Sequence, residues 1–430
     1  MERIQASTVT RQFKRTFGEA TLNELGRLTR FCRREREITP FRLALSLIES
    51  FASDSAKCIA DIQRSFNALC ETTVRYKPFH NQLAKRQFPT FVRLLLSRLL
   101  NELAVEVLRF NASSPFARFE HIHIQDGSSF ALKRSLAGVF PGRFTTVSPA
   151  AVELHVDLEL LSDTVNQVVL SPDSSAERQF LPEVEDLTGS LLLADRGYFA
   201  RAYFQALDEA GGHFIVRAGS GINPLIVRAL HPDGRQVKRF ANRALKDVLS
   251  KLSRFAYLDM TVQFGRWQCR LLVHPNLSPG GAPRYLVTNL VPEVFTPQHI
   301  SDGYRLRWQV ELLFKEWKSY ANLRTFDTSN PYLAEGLIWA ALCAATLKRY
   351  CAHVTEQLFH VAMSTHTVAK CVHHLLTDVL RAVIHQPRKL NRCIHRLMRY
   401  LADNAQRARP KRDQQTGRLK LGIEHVFVGP

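Results

Sequence analysis

The stretch Leu191-Leu192-Leu193-Ala194-Asp195-Arg196-Gly197 decides how the chain folds. Four apolar residues in succession, with no polar alternation, predict a short strand buried on both faces. Asp195-Arg196-Gly197 then ends it. Upstream, His121-Ile122-His123-Ile124-Gln125 alternates as a strand does and ends at Asp126-Gly127. Residues 151–160 and 164–170 read as two further strands, joined as a hairpin at Ser162-Asp163. A helix is expected near 175–187. Downstream, a helix over 199–210, the pair Gly211-Gly212 and a strand from Phe214 to Arg217 complete the set. This order predicts a mixed α/β sheet that starts with a meander.

Residues 219–290 read as a β-rich insertion. Leu258, Met260, Val262 and Phe264 alternate with polar residues, Gly265-Arg266 suits a type II′ turn, and Trp267, Cys269, Leu271 and Val273 alternate back. Gly280-Gly281 marks a loop before a strand at Tyr285 to Thr288. The first 110 residues read as helices instead. Thr39-Pro40 caps one that carries Phe41, Leu45 and Ile48. Ile59, Ile62, Phe66 and Leu69 line a second, and Pro89 opens another with Phe91, Leu94, Leu95 and Leu99. Between them lies a polar segment with Arg75, Lys77, His80, Asn81, Gln82, Lys85 and Arg86. Such side chains reach base edges and phosphates, although an ordinary solvated helix has the same composition. Helices resume near 297 and run to about 405, and Arg407 to Lys420 is a basic tail. The expected parts are a helical N-terminal domain that carries this candidate DNA-binding segment (1–115), a split α/β core (116–218 and 291–352), the β-rich insertion (219–290), and C-terminal helices with the tail (353–430).

Composition limits the function. The 430 residues hold 58 Lys+Arg against 39 Asp+Glu, a net charge of +19. That excess points to a polyanionic partner, nucleic acid first and an anionic membrane second. The charged N-terminus has no apolar core of a signal peptide. The longest apolar run, Leu337 to Leu347, has 11 residues, where a membrane span needs about 20. Eight scattered cysteines with no CxxC pair read as reduced thiols. Neither a Walker A loop nor a GxGxxG occurs, so no nucleotide cofactor is expected. A soluble, cytoplasmic protein facing nucleic acid is the expectation.

Asp126 and Asp195 both read as strand-end aspartates, where ligands gather in open α/β sheets. Each is closely followed by glycine, Gly127 and Gly197, which leaves room for a large ligand. Singly, either is also an ordinary turn residue. The stretch 304–318, YRLRWQVELLFKEWK, supplies a third element. On one continuous helix Tyr304, Arg307, Glu311 and Lys318 fall within about 60° of one another, and Leu306, Val310, Leu313 and Trp317 lie opposite. Glu311 is the only acid in the polar stripe, because Glu316 points elsewhere. Arg307 and Lys318 suit DNA phosphates, and Tyr304 can donate a hydrogen bond or stack on a base. A carboxylate suits DNA only through metal ions, and three carboxylates from three elements can hold two Mg²⁺ ions. Glu153, Asp157, Glu159 and Asp163 compete as ligands but rank lower. The His and Cys residues near the C-terminus, from His366 to His395, lack zinc-finger spacing.

The spacing Tyr304-x2-Arg307-x3-Glu311-x6-Lys318 resembles the Y-R-E-K signature of transposases of insertion sequence family 4. Ile124-Gln125-Asp126-Gly127-Ser128 and Ala194-Asp195-Arg196-Gly197-Tyr198 resemble that family's two aspartate motifs, and Tyr285 to Leu290 is similar to its segment before the last motif. The resemblance implies an RNase H-like domain with a β-rich insertion and an Asp126-Asp195-Glu311 triad working with Mg²⁺ or Mn²⁺, two ions per site. It implies DNA contacts by Tyr304, Arg307, Lys318 and Arg196, with Lys77, Asn81, Gln82 and Lys85 as N-terminal contacts. It further implies double-stranded DNA as substrate, cut at terminal inverted repeats and joined to a target through the 3′-OH. A dimer bridging two ends and a prokaryotic, nucleoid-associated setting come with it. In some relatives a tryptophan of the insertion holds a flipped base; Trp267 is the candidate, but its alternation reads as a buried strand residue. Two other functions remain open: an RNase H-like nuclease that never joins, and a silent DNA-binding descendant of such an enzyme.

Overall fold

The structure, a computed structural model, describes residues 6–34, 36–53, 57–103, 109–110, 114–254, 257–274, 283–320, 327–408 and 427–428. Among the described residues six helices come first: α1 (Ala6–Thr16), α2 (Glu19–Leu28), α3 (Pro40–Ala52), α4 (Ile59–Cys70), α5 (Tyr76–Leu83) and α6 (Phe88–Glu102). Strands β1 (Ile122–Ala131), β2 (Ala151–Glu159), β3 (Thr164–Pro172) and β4 (Leu191–Ala194) follow, then α7 (Arg201–Glu209) and β5 (His213–Ala218). The insertion supplies β6 (Leu225–Leu230), β7 (Arg243–Ala244), β8 (Leu258–Phe264), β9 (Trp267–His274) and β10 (Arg284–Thr288). The chain returns to helices α8 (Pro297–Arg305), α9 (Trp308–Tyr320), α10 (Pro331–Phe359), α11 (Thr365–Cys371), α12 (His373–His385) and α13 (Leu390–Asn404).

All ten of these strands join one sheet, in the order β3-β2-β1-β4-β5-β10-β9-β8-β6-β7. The β1–β2 and β2–β3 pairs are antiparallel, whereas β1–β4 and β4–β5 are parallel. This is the expected RNase H-like mixed sheet, with helices before and after it. Among the described residues the insertion builds no separate sheet. Its β10 pairs antiparallel with β5, so the later strands continue the catalytic sheet.

Two cores lie on the two faces. One face packs Ile122, Ile124, Leu191, Leu193 and Ile215 against the N-terminal and C-terminal helices. The other packs Leu192, Ala194, Phe214 and Val216 against α7 and the alternating residues of the insertion, Met260, Val262, Trp267 and Leu271 among them. Leu191-Leu192-Leu193-Ala194 therefore serves both, as its unbroken apolar run requires. The N-terminal helices are not set apart: α3 and α6 share one core with α10.

Two expected elements differ. The helix near 175–187 is two short 3₁₀ turns, Glu177–Phe180 and Val184–Leu187. Pro182 lies between them and drives Leu181 to an extended backbone, ψ 144°. The helix near 300–320 is broken: Leu306, Arg307, Gln309 and Val310 each donate to the carbonyl three residues back. The basic tail after residue 408 and the pair Gly280-Gly281 lie outside the described residues, the short 427–428 segment excepted.

Candidate active site

Asp126 is not at a strand end. β1 runs on to Ala131 because Asp126 to Ala131 pair with Val156 to Ala151 of β2. The parallel partner is what stops: Gln125 pairs with Ala194, the last residue of β4. Asp126 therefore stands one residue beyond the paired segment, level with Asp195 on the other chain segment. Both share the face of Ile124 and Leu193, toward the helices, because side chains alternate along a strand.

The third acid arrives through α8 and α9. Gly303 makes the approach close: a Cβ there would lie 2.7 Å from Phe116 and 3.0 Å from Ile215 of β5. The loop before α8 is tied to the insertion, since Arg270 of β9 donates to the carbonyls of Leu290 (3.1 Å) and Phe295 (2.6 Å). Asp259 holds that guanidinium from β8 at 2.7 Å. Leu306, Val310, Leu313 and Trp317 are buried as expected, and burial of each contributes about 1.5–3 kcal/mol. The i→i−3 bonding across residues 306–310 has a consequence for Tyr304 and Arg307. At three residues per turn, i and i+3 eclipse. Arg307 accordingly lies over the Tyr304 ring, 5.8 Å from its centroid.

The polar groups then meet. Tyr304 donates its hydroxyl to Asp195 Oδ1 at 2.9 Å. Arg307 donates through Nη1 to Asp126 Oδ2 and through Nη2 to Glu311 Oε1, each at 2.5 Å. Arg217, at the end of the parallel strand β5, reaches Asp195 at 4.0 Å. Asp126 also accepts the Gly127 amide at 2.9 Å. Burial raises the Asp126 carboxyl to about 6; Arg307 and the Gly127 amide oppose this, and Asp195 and Glu311 add to it. Burial, and then Asp195, push the Tyr304 phenol up, so it stays a donor. Arg307 remains charged: burial opposes its charge most, but Asp126, Tyr304, Asp195 and Glu311 together more than offset it.

Arg307, Tyr304 and the three acids are thus brought together. Lys318 sits seven residues past Glu311, about 10 Å along the helix. Arg196 is exposed beside Gly219, in the loop after β5. The N-terminal candidates lie on and after α5: Lys77 and Asn81 are exposed and Gln82 is partly covered. Lys85 is engaged within the protein, donating to the Phe31 carbonyl at 3.3 Å with its ammonium 5.7 Å from that ring's centroid. Trp267 is buried and donates to Asp208 at 2.9 Å, as its alternation indicates.

The glycines do not leave room for a ligand. A Cβ at Gly127 would come within 2.6 Å of Glu153 Oε1 and 2.9 Å of the Tyr198 hydroxyl. One at Gly197 would collide with Glu177 Oε2. Both glycines admit acids packed behind the sheet. That second face holds the competing carboxylates. Glu153, Asp157 and Glu159 alternate with Val152, Leu154, Val156 and Leu158, so they point away from Asp126. Arg143 reaches Glu153 and Glu177 at 3.4 Å each. His123 contacts Asp157 at 2.9 Å, and Ser162 donates twice to Glu159, at 2.6 and 2.7 Å. Asp163, on the hairpin turn, is bound by Arg349 and His353, and Arg349 also holds Glu316 at 2.8 Å.

Sequence reasoning did not single out Arg217, Tyr198, Arg143 or Arg270. Only for Arg217 was there a signal, its position closing a strand parallel to that of Asp195. Chemically, the three acids are hard oxygen donors suited to Mg²⁺ or Mn²⁺. Among the described residues, no group of three or more His, Cys, Asp and Glu is arranged around a metal position. The Arg307 guanidinium stands between Asp126 and Glu311 and carries the positive charge there.

These elements define a protein class, and comparison with known proteins agrees. A family model described as Transposase DDE domain matches residues 126–347, beginning at Asp126 itself. The chain belongs to the DDE transposase family. It is 20% identical to the transposase for insertion sequence element IS231E of Bacillus thuringiensis subsp. finitimus, over 95% of this chain and 93% of the relative. It is 23% identical to the transposase for IS231B of Bacillus thuringiensis subsp. berliner, over 75% of each. With the probable transposase for IS5377 of Geobacillus stearothermophilus it shares 28% identity over 50% of this chain and 53% of the relative. No helix among the described residues is long and apolar enough to cross a membrane.

Proposed function

We propose that this transposase cuts DNA at the terminal inverted repeats of an insertion sequence and joins the freed 3′-OH ends to target DNA. Asp126, Asp195 and Glu311 are the catalytic carboxylates. The observation that carries this reading is their convergence: two neighbouring parallel strands and α9 deliver one acid each to one sheet face, linked by Tyr304 and Arg307. Two Mg²⁺ or Mn²⁺ ions bound by these acids would activate the nucleophile and stabilise the leaving oxygen. The chain's own groups do the rest. Tyr304 holds Asp195 in place through its hydroxyl. Arg307, Arg217, Lys318 and the exposed Arg196 bind DNA phosphates, and the exposed face of α5 with Lys77 and Asn81 contacts duplex DNA further away. Two chains pair the two ends in a dimer, and the reaction takes place at the nucleoid in the cytoplasm.

The test is cleavage of terminal-repeat DNA and strand transfer from pre-cut ends. Asp126→Asn, Asp195→Asn and Glu311→Gln should each lower both reactions by about 10³-fold or more while DNA binding persists. Normal cleavage by any of the three removes that residue from the assignment. Cleavage without joining by the unaltered chain makes it a nuclease.

A further inference from the structure

Arg307 holds an arrangement that the proposed chemistry must undo. Its two terminal nitrogens are spent on Asp126 and Glu311, two of the three acids. Its Nε is buried without a hydrogen-bond partner. The side chain is only 13% exposed, so this is a deliberate internal ion pair and not a surface contact. A guanidinium cannot give up its proton, and it repels a second cation placed between the same two carboxylates. The same planar fork binds a phosphate as readily as a carboxylate.

Resting on the reading above, we propose that Arg307 is an internal stand-in for metal. It neutralises Asp126 and Glu311 in the free protein and moves to a DNA phosphate when an end is bound. The exchange frees two carboxylates for divalent cations at that moment. DNA binding and metal binding are then coupled, and by linkage each strengthens the other equally. The free chain binds metal weakly and is not a stray nuclease. The orphaned Nε gains a partner in the phosphate-bound position.

The probe is Mn²⁺, titrated calorimetrically into the full-length chain, alone and bound to a duplex that ends in the inverted repeat flanking its gene. Unaltered protein should bind Mn²⁺ at least about tenfold more tightly with the duplex than without it. Arg307→Gln should bind Mn²⁺ about tenfold more tightly than the unaltered chain in the absence of DNA, and gain little from DNA. Arg307→Lys keeps the charge without the fork and should fall between; it also serves if Arg307→Gln folds poorly. Equal Mn²⁺ affinity with and without duplex, together with an unchanged affinity in both Arg307 variants, overturns the exchange and leaves the metal site standing. Mn²⁺ uptake that Asp126→Asn does not reduce overturns the exchange and the site assignment together.

Discussion

The two faces of the sheet around β1 carry comparable numbers of carboxylates and treat them differently. On the helix face, Asp126, Asp195 and Glu311 are 14%, 34% and 34% exposed in their side chains. Their partners are mainly Arg307, Tyr304 and Arg217, all groups able to bind phosphate as well. On the opposite face, Glu153, Asp157 and Glu159 are 5%, 8% and 8% exposed. Their donors come from Arg143, His123 and Ser162, and the 3₁₀ segment at 177–187 covers the layer. Phe180 stacks on His155 there at 3.8 Å between ring centres, and the Phe180 carbonyl accepts from Gln125. An acid is available for chemistry when its partners can be exchanged, and an acid sealed by its own fold is a strut. Charge type alone does not separate the two.

The sharpest break in that comparison is a matched pair of substitutions. Asp195→Asn should remove cleavage, by about 10³-fold or more, while Asp157→Asn, two strands away and behind the sheet, should leave turnover within about threefold. Loss of cleavage in folded Asp157→Asn protein would erase the distinction between the faces.

Gly127 couples the faces, so Gly127→Ala is next. The new methyl collides with Glu153 and Tyr198. The expected cost is about 1–3 kcal/mol of stability and about tenfold or more in cleavage, since Asp126 is the adjacent residue and a shift of about 1 Å is expensive. Tyr198→Phe in the same background removes one colliding oxygen and should recover part of both, measured by denaturant melts and cleavage rates.

A smaller effect belongs to the helix face. Lys318→Ala should weaken DNA binding uniformly across sequences and reduce the salt slope by about one. An unchanged slope in binding titrations removes Lys318 from the phosphate contacts.

The smallest effect tests the sealed layer through pH. Burial raises the Glu153 carboxyl to about 7, with Glu177 adding and Arg143 opposing. Its folded value lies above the usual 4.5, so the stability it confers is full below pH 4.5 and lost as pH rises through 7. Glu153→Gln should therefore be more stable than the parent at pH 8, by about 1 kcal/mol or less, and lose that advantage by pH 5. A destabilised variant at pH 8 would show that Arg143 outweighs desolvation. His155, beside it, is held down to about 4 by burial and by Arg143, so it stays neutral across this window.

Much of the site was legible because local sequence dictates it. Leu191 to Ala194 had to be a doubly buried strand, and an aspartate after such a strand lies at the sheet's open end. The apolar spacing of Leu306, Val310, Leu313 and Trp317 determined which side of the last motif docks on the core, leaving Glu311 on the other side. The resemblance in spacing from Tyr304 to Lys318 pointed to a DDE transposase, and the match over residues 126–347 bears out that broader class. The sequence could not show that β1 outruns its parallel partner, because strand length depends on β2. It could not show the 3₁₀ step that stacks Arg307 over Tyr304, because helical arithmetic assumes a constant turn. Nor could it say which face each acid of β2 occupies, since both faces of that strand are buried. Sequence decides which residues can be buried or charged through local periodicity and composition. Which carboxylates share a face, and which cation sits between them, depends on strand register and on helix docking, and both are set by contacts between residues far apart in the chain.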